Sequence, residues 1–97
     1  MKNKIIEECK KYGYELNWEG DNFYSFRNDN VREELQVFDV QIDYELESVT
    51  MAIIIDLGSW NIDSLECDLN NEEEVLKAIG NWLKPENLKS IEEWLNE

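Results

Sequence analysis

Residues 37–47 read VFDVQIDYELE. Phe38, Val40, Ile42, Tyr44 and Leu46 occupy one parity, and Asp39, Gln41, Asp43, Glu45 and Glu47 occupy the other. Strict alternation of this kind argues a strand with one face buried and one face in water. The stretch that follows, VTMAIIIDL over residues 49–57, reads as a second strand that Gly58-Ser59 breaks. Joined as a hairpin, the two strands pair Leu46–Val49, Tyr44–Met51, Ile42–Ile53, Val40–Ile55 and Phe38–Leu57 on the inner face. All five pairs are apolar. A one-residue slip would drive carboxylates into the core, so the parity is firmly set. The turn itself is less so, because Glu47-Ser48 is not the Asn-Gly type that favours two-residue hairpins.

The outer face of that hairpin is unusual. Its pairs become Glu45–Thr50, Asp43–Ala52, Gln41–Ile54 and Asp39–Asp56, and Glu47 lies at its end. A further strand over about residues 62–69 adds Glu66 and Asp68 if Leu65, Cys67 and Leu69 face inward. Asp39, Asp43, Glu45, Glu47, Asp56, Glu66 and Asp68 then share one face with no cation among them. Asp and Glu are poor strand formers, and like charges facing each other across a sheet are mildly destabilising. Carboxylates two apart on a strand stand about 6.8 Å from one another, similar to neighbouring phosphates along a nucleic-acid strand. A polar sheet face is ordinarily just solvated, but such faces usually mix both signs.

Outward from this core the remaining elements follow. Residues 2–12 place Ile5, Ile6, Cys9 and Tyr12 on one helical face, with Gly13 as a stop. Tyr14, Leu16 and Trp18 alternate as a short strand. The turn Glu19-Gly20-Asp21-Asn22 leads to a second strand, Phe23–Arg27. Asn71 with Glu74 forms a capping box for a helix carrying Val75, Leu76, Ile79, Trp82 and Leu83 inward. Pro85 opens a last helix that turns Leu88, Ile91, Trp94 and Leu95 inward. The expected fold is α+β: an antiparallel sheet of about five strands, with one N-terminal and two C-terminal helices. Trp60, in Gly58-Ser59-Trp60-Asn61, is the one Trp off any periodic face, and reads either as an interface anchor or as a lid on the sheet edge.

Composition bounds the function. The chain has 97 residues, 42% of them hydrophobic, which suits a single domain spanning residues 1–97 with a folded surface of about 5,800 Å². Its net charge is −14, where a small domain needs a magnitude of only about 2–8 for solubility. No Lys or Arg lies between Arg32 and Lys77, a segment holding thirteen Asp or Glu, whereas the first eleven residues hold four Lys against two Glu. Such an asymmetry points to a partner, and its sign repels nucleic acid and anionic membranes while attracting a basic protein surface. No apolar run reaches the length of a membrane span, and the start MKNKIIEECKK lacks the apolar core of a signal peptide, so a cytoplasmic chain is expected. Cys9 and Cys67 match no metal or redox spacing and are expected to be reduced, a single disulfide between them being the alternative.

Enzyme chemistry is not expected. The chain has no His, the commonest general base and metal ligand. It holds no Gly-rich phosphate loop, nucleophile elbow or paired-cysteine site. Neither Asp63-x-x-Glu66-x-Asp68 nor Glu19-Gly20-Asp21-Asn22 has calcium-loop spacing. No cofactor and no dedicated metal is called for. The Glu72-Glu73-Glu74 triplet has a structural role, since acids in a first helical turn complement the helix dipole.

The combination of short length, strong acidity, one leading helix, antiparallel strands and two closing helices resembles the small phage-encoded anti-CRISPR inhibitors and, more broadly, the DNA-mimic proteins. The likeness lies in element order and charge and includes no sequence motif, so it carries over no residue. What it implies is binding to a nuclease or other nucleic-acid-binding protein in the bacterial cytoplasm, with carboxylates replacing phosphates in the basic groove. Asp39, Asp43, Glu45, Glu47, Asp56, Glu66 and Asp68, with Trp60, are the candidate partner-binding residues. Two other readings share the same charge: an immunity protein that neutralises a nuclease toxin, and a non-inhibitory acidic interaction domain.

Overall fold

Alternating apolar residues over four consecutive strands build one sheet, and three amphipathic helices cover its apolar face. The computed structural model describes residues 1–55, 60–61 and 65–96, with the backbone alone at residues 55, 60, 61 and 65. The elements run α1 (Lys2–Lys11), β1 (Glu15–Glu19), β2 (Phe23–Arg27), a 3-10 turn (Glu33–Leu35), β3 (Val37–Asp43), β4 (Ser48–Ile55), β5 (Trp60–Asn61), β6 (Leu65–Asp68), α2 (Glu72–Leu83) and α3 (Pro85–Leu95). Strands β1 to β4 pair in sequence order, all antiparallel. Both β5 and β6 pair with the far side of β4, β5 at its end and β6 along its start. The fold is the α+β arrangement that the alternation and the helix spacings require, with Trp60–Asn61 as an extra two-residue strand where a turn was expected.

The hairpin register differs from the five-pair expectation. Phe38 faces Ile53 rather than Leu57, Val40 faces Met51, and Ile42 faces Val49. Parity is kept, but the strands are displaced by four residues because the turn starts earlier. The Asp43 carboxylate accepts hydrogen bonds from the backbone N–H of Glu45 and of Leu46, each at 3.0 Å. An Asp that bonds its own backbone two residues on gives the chain an alternative to the ladder. A four-residue turn, Tyr44–Glu47, therefore replaces the last part of the expected strand. It closes with Glu47 in the left-handed region, φ 51°. Tyr44 and Leu46 are consequently not core residues: they are 60% and 76% exposed.

The inner face is apolar across all four strands. Phe26, Phe38 and Ile53 form one row, Tyr24, Val40 and Met51 the next, and Ile42, Val49 and Cys67 a third, all buried. Phe38 is the hub, with Tyr14 edge-on at 6.4 Å between ring centroids, Phe26 at 6.5 Å and Trp82 at 6.4 Å. The helices add Ile5 and Cys9 from α1, Val75, Ala78, Ile79 and Leu83 from α2, and Ile91 from α3. Cys9 and Cys67 are both free thiols, and burial pushes each thiol pKa up. The buried Tyr14 hydroxyl is satisfied by donating to the Leu35 carbonyl at 2.6 Å. Asn71 caps α2 by accepting from the Glu74 N–H at 3.1 Å.

Two aromatic residues leave the places their spacing suggests. Trp94 is 58% exposed. On α3, Leu88 and Leu95 lie to one side of buried Ile91 and Trp94 falls on the other flank of the stripe. Trp18, expected inward with Leu16, is 56% exposed. The β1–β2 register shifts between Leu16, which faces Phe26, and Trp18, which faces Ser25, so Asn17 forms a bulge and the parity reverses beyond it.

The observed register makes a separable stability prediction. Phe38→Ala should cost about 3–5 kcal/mol in urea unfolding, since it empties the centre of the core. Leu46→Ala should change stability by no more than about 0.5 kcal/mol, because the side chain is already in water. A loss at Leu46 as large as that at Phe38 would restore the longer strand pairing.

Candidate functional site

With the helices on one face of the sheet, the opposite face mixes polar and apolar positions, its first row being Glu15, Arg27, Val37 and Ile54. Cross-strand pairing places them in rows. Trp18, Ser25, Asp39 and Ala52 form one row, and Phe23, Gln41, Thr50 and Glu66 the next. Asp43, Ser48 and Asp68 form the row nearest the hairpin turn. Beyond it, Glu45 and Glu47 stand in the turn itself. Asp43, Glu45, Glu47, Glu66 and Asp68 are all exposed. They gather at one end of the outer face, although Glu45 and Glu47 reach it from a loop and not, as expected, from a strand.

This end is held together by hydrogen bonds that use some carboxylate oxygens and leave others to solvent. Asp43 seats the turn, as described. Asp68 accepts from the Asn70 N–H at 2.9 Å, and Glu47 accepts from the Asn70 side-chain amide, also at 2.9 Å. The Glu47 carbonyl accepts from the Leu69 N–H at 2.8 Å. The hairpin turn and the β6–α2 connection are thus tied to each other. None of the five carboxylates belongs to an ion pair among the described residues. The cations that do pair lie elsewhere: Lys2 with Glu19, Lys4 with Glu72, Lys11 with Glu8, Arg27 with Asp29 and Arg32 with Glu34. Among the described residues no group of three or more acids, Cys or His could hold a metal ion, and no helix is long and apolar enough to cross a membrane.

The opposite end of the sheet has a different character. Between the C-terminus of α1, the segment after β2 and the helices α2 and α3 lies a cleft of about 730 Å³. Val31, Leu35, Leu83 and Leu88 line it, with Lys11, Lys89 and Glu92 beside them. This cleft and the five-carboxylate cluster lie at opposite ends of the strands.

Three candidates stand apart from the acidic end. Asp56 lies outside the described residues, and of Trp60 only the backbone, in β5, is described. Asp39 is on the outer face but recessed: it is half-buried, and its Oδ1 atom is buried without a hydrogen-bond partner among the described residues. The pairing does bring forward residues that alternation alone put inward. Trp18 emerges beside Phe23 on the outer face, and Tyr44 and Leu46 stand exposed among the acids of the turn.

Burial raises the Asp39 pKa, only partly opposed by the Ser25 hydroxyl. The folded chain then holds that proton more tightly than the unfolded one, so Asp39 opposes folding above the ordinary carboxylate range, and the penalty fades as pH falls below it. Asp39→Asn should raise the melting temperature at pH 7 by about 2–5 °C and lose that advantage near pH 3. Glu45→Gln, which relieves the same unit of charge at an exposed site, should give a clearly smaller gain. Equal gains would mean that only overall self-repulsion is being measured.

No family model, curated protein or solved structure matches the chain, so what the site does rests on its own geometry and charge.

Proposed function

We propose that the protein is an acidic inhibitor that occupies the basic groove of a nucleic-acid-binding protein, most simply a nuclease, in the manner of the phage-encoded anti-CRISPR and DNA-mimic proteins that its charge and element order resemble. The observation that carries this reading is the collection of five exposed carboxylates, without ion-pair partners among the described residues, at one end of the sheet's outer face. A groove lined by Lys and Arg supplies the missing counter-charges. Tyr44 and Leu46, exposed between those acids, give the contact apolar area that charge alone lacks, and interfaces draw most of their affinity from such central apolar anchors. The target belongs to the cytoplasm of a bacterial host, and the inhibitor works by exclusion without itself touching nucleic acid. No catalytic step and no cofactor enters.

Electrostatic complementarity acts mainly on the association rate. Association with the target should therefore be fast at low salt and slow steeply as salt rises. Asp43 is unsuited to a charge-reversal test because its carboxylate builds the turn. Glu45 and Glu66 are exposed strand-face and turn positions, and the double variant Glu45→Lys, Glu66→Lys should fold as the parent does. It should associate with the target at least about tenfold more slowly at low salt. Glu86→Lys with Glu93→Lys, the same charge change at exposed positions on α3, should alter the rate far less. The target should be captured from a bacterial lysate on immobilised parent protein and released by duplex DNA. If DNA binds the captured protein alongside the inhibitor, or if the two double variants behave alike, the groove-occupying reading is wrong.

A further inference from the structure

Trp18 is a large apolar ring set in water by a device of the backbone. Without the bulge at Asn17 it would follow Tyr14 and Leu16 into the core; with it, the ring emerges on the outer face, 56% exposed. Bulges commonly re-aim a side chain for use. The ring is also held in place. Phe23 packs against it with centroids 5.6 Å apart at 59°. Gly20 lies beneath its edge so closely that an added Cβ would come within 2.9 Å of the ring Cη2 atom. The Gly20 N–H donates to the Phe23 carbonyl at 2.7 Å, which closes the turn under this pair. A ring seated in this way loses little freedom on binding, which favours affinity.

We infer that Trp18 is the platform on which an arginine guanidinium of the basic partner stacks. This inference rests on the reading of the outer face as a groove-occupying surface. Charge complementarity selects the occupant. Asp21 is exposed in the turn beside the ring, Asp43, Glu66 and Asp68 lie farther across the same face, and the face's own cation, Arg27, is already paired with Asp29. Lys2, which reaches this strand from α1, is likewise bound, to Glu19. A cation over the indole is drawn by the ring quadrupole and, over a longer range, by the excess of carboxylates on that face. Arginine suits the site better than lysine because its planar, weakly hydrated guanidinium stacks on the ring while its N–H fork meets a carboxylate. Aromatic platforms on sheet faces also stack nucleobases, but a base arrives with phosphates, which these acids repel.

The test uses the full-length ¹⁵N-labelled protein with octa-arginine, octa-lysine and octa-deoxythymidine as probes, at low salt. The Trp18 indole N–H signal is assigned by its loss in Trp18→Phe. Octa-arginine should bind roughly threefold more tightly than octa-lysine, the preference an exposed stacked cation supplies, and it alone should shift the Trp18 indole signal. Trp18→Leu should bring octa-arginine down to the octa-lysine level. So should Gly20→Ala, which keeps the indole but displaces it from its seat. Shifts at Asp43, Glu66 and Asp68 with both peptides, but none at Trp18 and no preference for arginine, would overturn the platform and leave the acidic face intact as a binding surface. No shift anywhere on the face with either peptide would overturn both readings. A Trp18 shift with octa-deoxythymidine in place of octa-arginine would make the ring a base-stacking platform and overturn the assignment.

Discussion

The Asp43 carboxylate, by accepting the backbone N–H groups of Glu45 and Leu46, fixes where the central hairpin turns. It starts the hairpin turn at Tyr44, and the turn sets which residues of β3 and β4 face each other. With that register Phe38 meets Ile53 at the centre of the core, and Tyr14, Phe26 and Trp82 close around it. The same choice pushes Tyr44, Glu45, Leu46 and Glu47 out of the sheet and into the end of the molecule where the remaining acids collect. One side-chain cap thus serves both the packing and the composition of the exposed end.

The acidity of that end costs the fold little. Two carboxylates about 6.8 Å apart in water repel by roughly 0.6 kcal/mol, and physiological salt screens this further. Asp43, Glu45, Glu47, Glu66 and Asp68 all stay exposed, so none bears the much larger cost of burying a charge. Asp39, by contrast, is recessed, and its raised pKa records the difference. The arrangement keeps the charges where a partner's cations can reach them while the apolar face opposite supplies the stability. The cleft that carries Lys11 and Lys89 lies at the other end of the strands.

Much of this architecture is legible from local patterns. The parity of β3 and β4, the Phe23–Arg27 strand, the Asn71 cap, Pro85 at the start of α3 and the inward faces of α1 and α2 all follow from spacing and capping chemistry, where the local preference and the tertiary packing agree. The departures occur where two local preferences compete. Alternation through Tyr44 and Leu46 argues for strand, whereas Asp43 argues for a turn, and the turn prevails because Glu47-Ser48 offers no good alternative two residues later. The bulge at Asn17 leaves no mark in composition, so Trp18 reads as core until its pairing with Ser25 is known. Trp94 reads as core because a stripe one residue wider would include it. For the candidate site, the acids at Asp43, Glu45, Glu47, Glu66 and Asp68 are visible as a run without cations, but the recess around Asp39 depends on neighbours that no periodicity identifies.

On the proposed reading, the acidic end of the outer sheet face, and not the cleft beside Lys11 and Lys89, meets the partner. The most direct measurement is the map of backbone amide signals of the ¹⁵N-labelled protein when the captured partner is added. Perturbation should concentrate at Asp43, Glu45, Glu47, Glu66 and Asp68, with the signals around Lys11, Val31 and Lys89 unmoved. Perturbation centred on Lys11, Val31 and Lys89, with the acidic end unchanged, would contradict it.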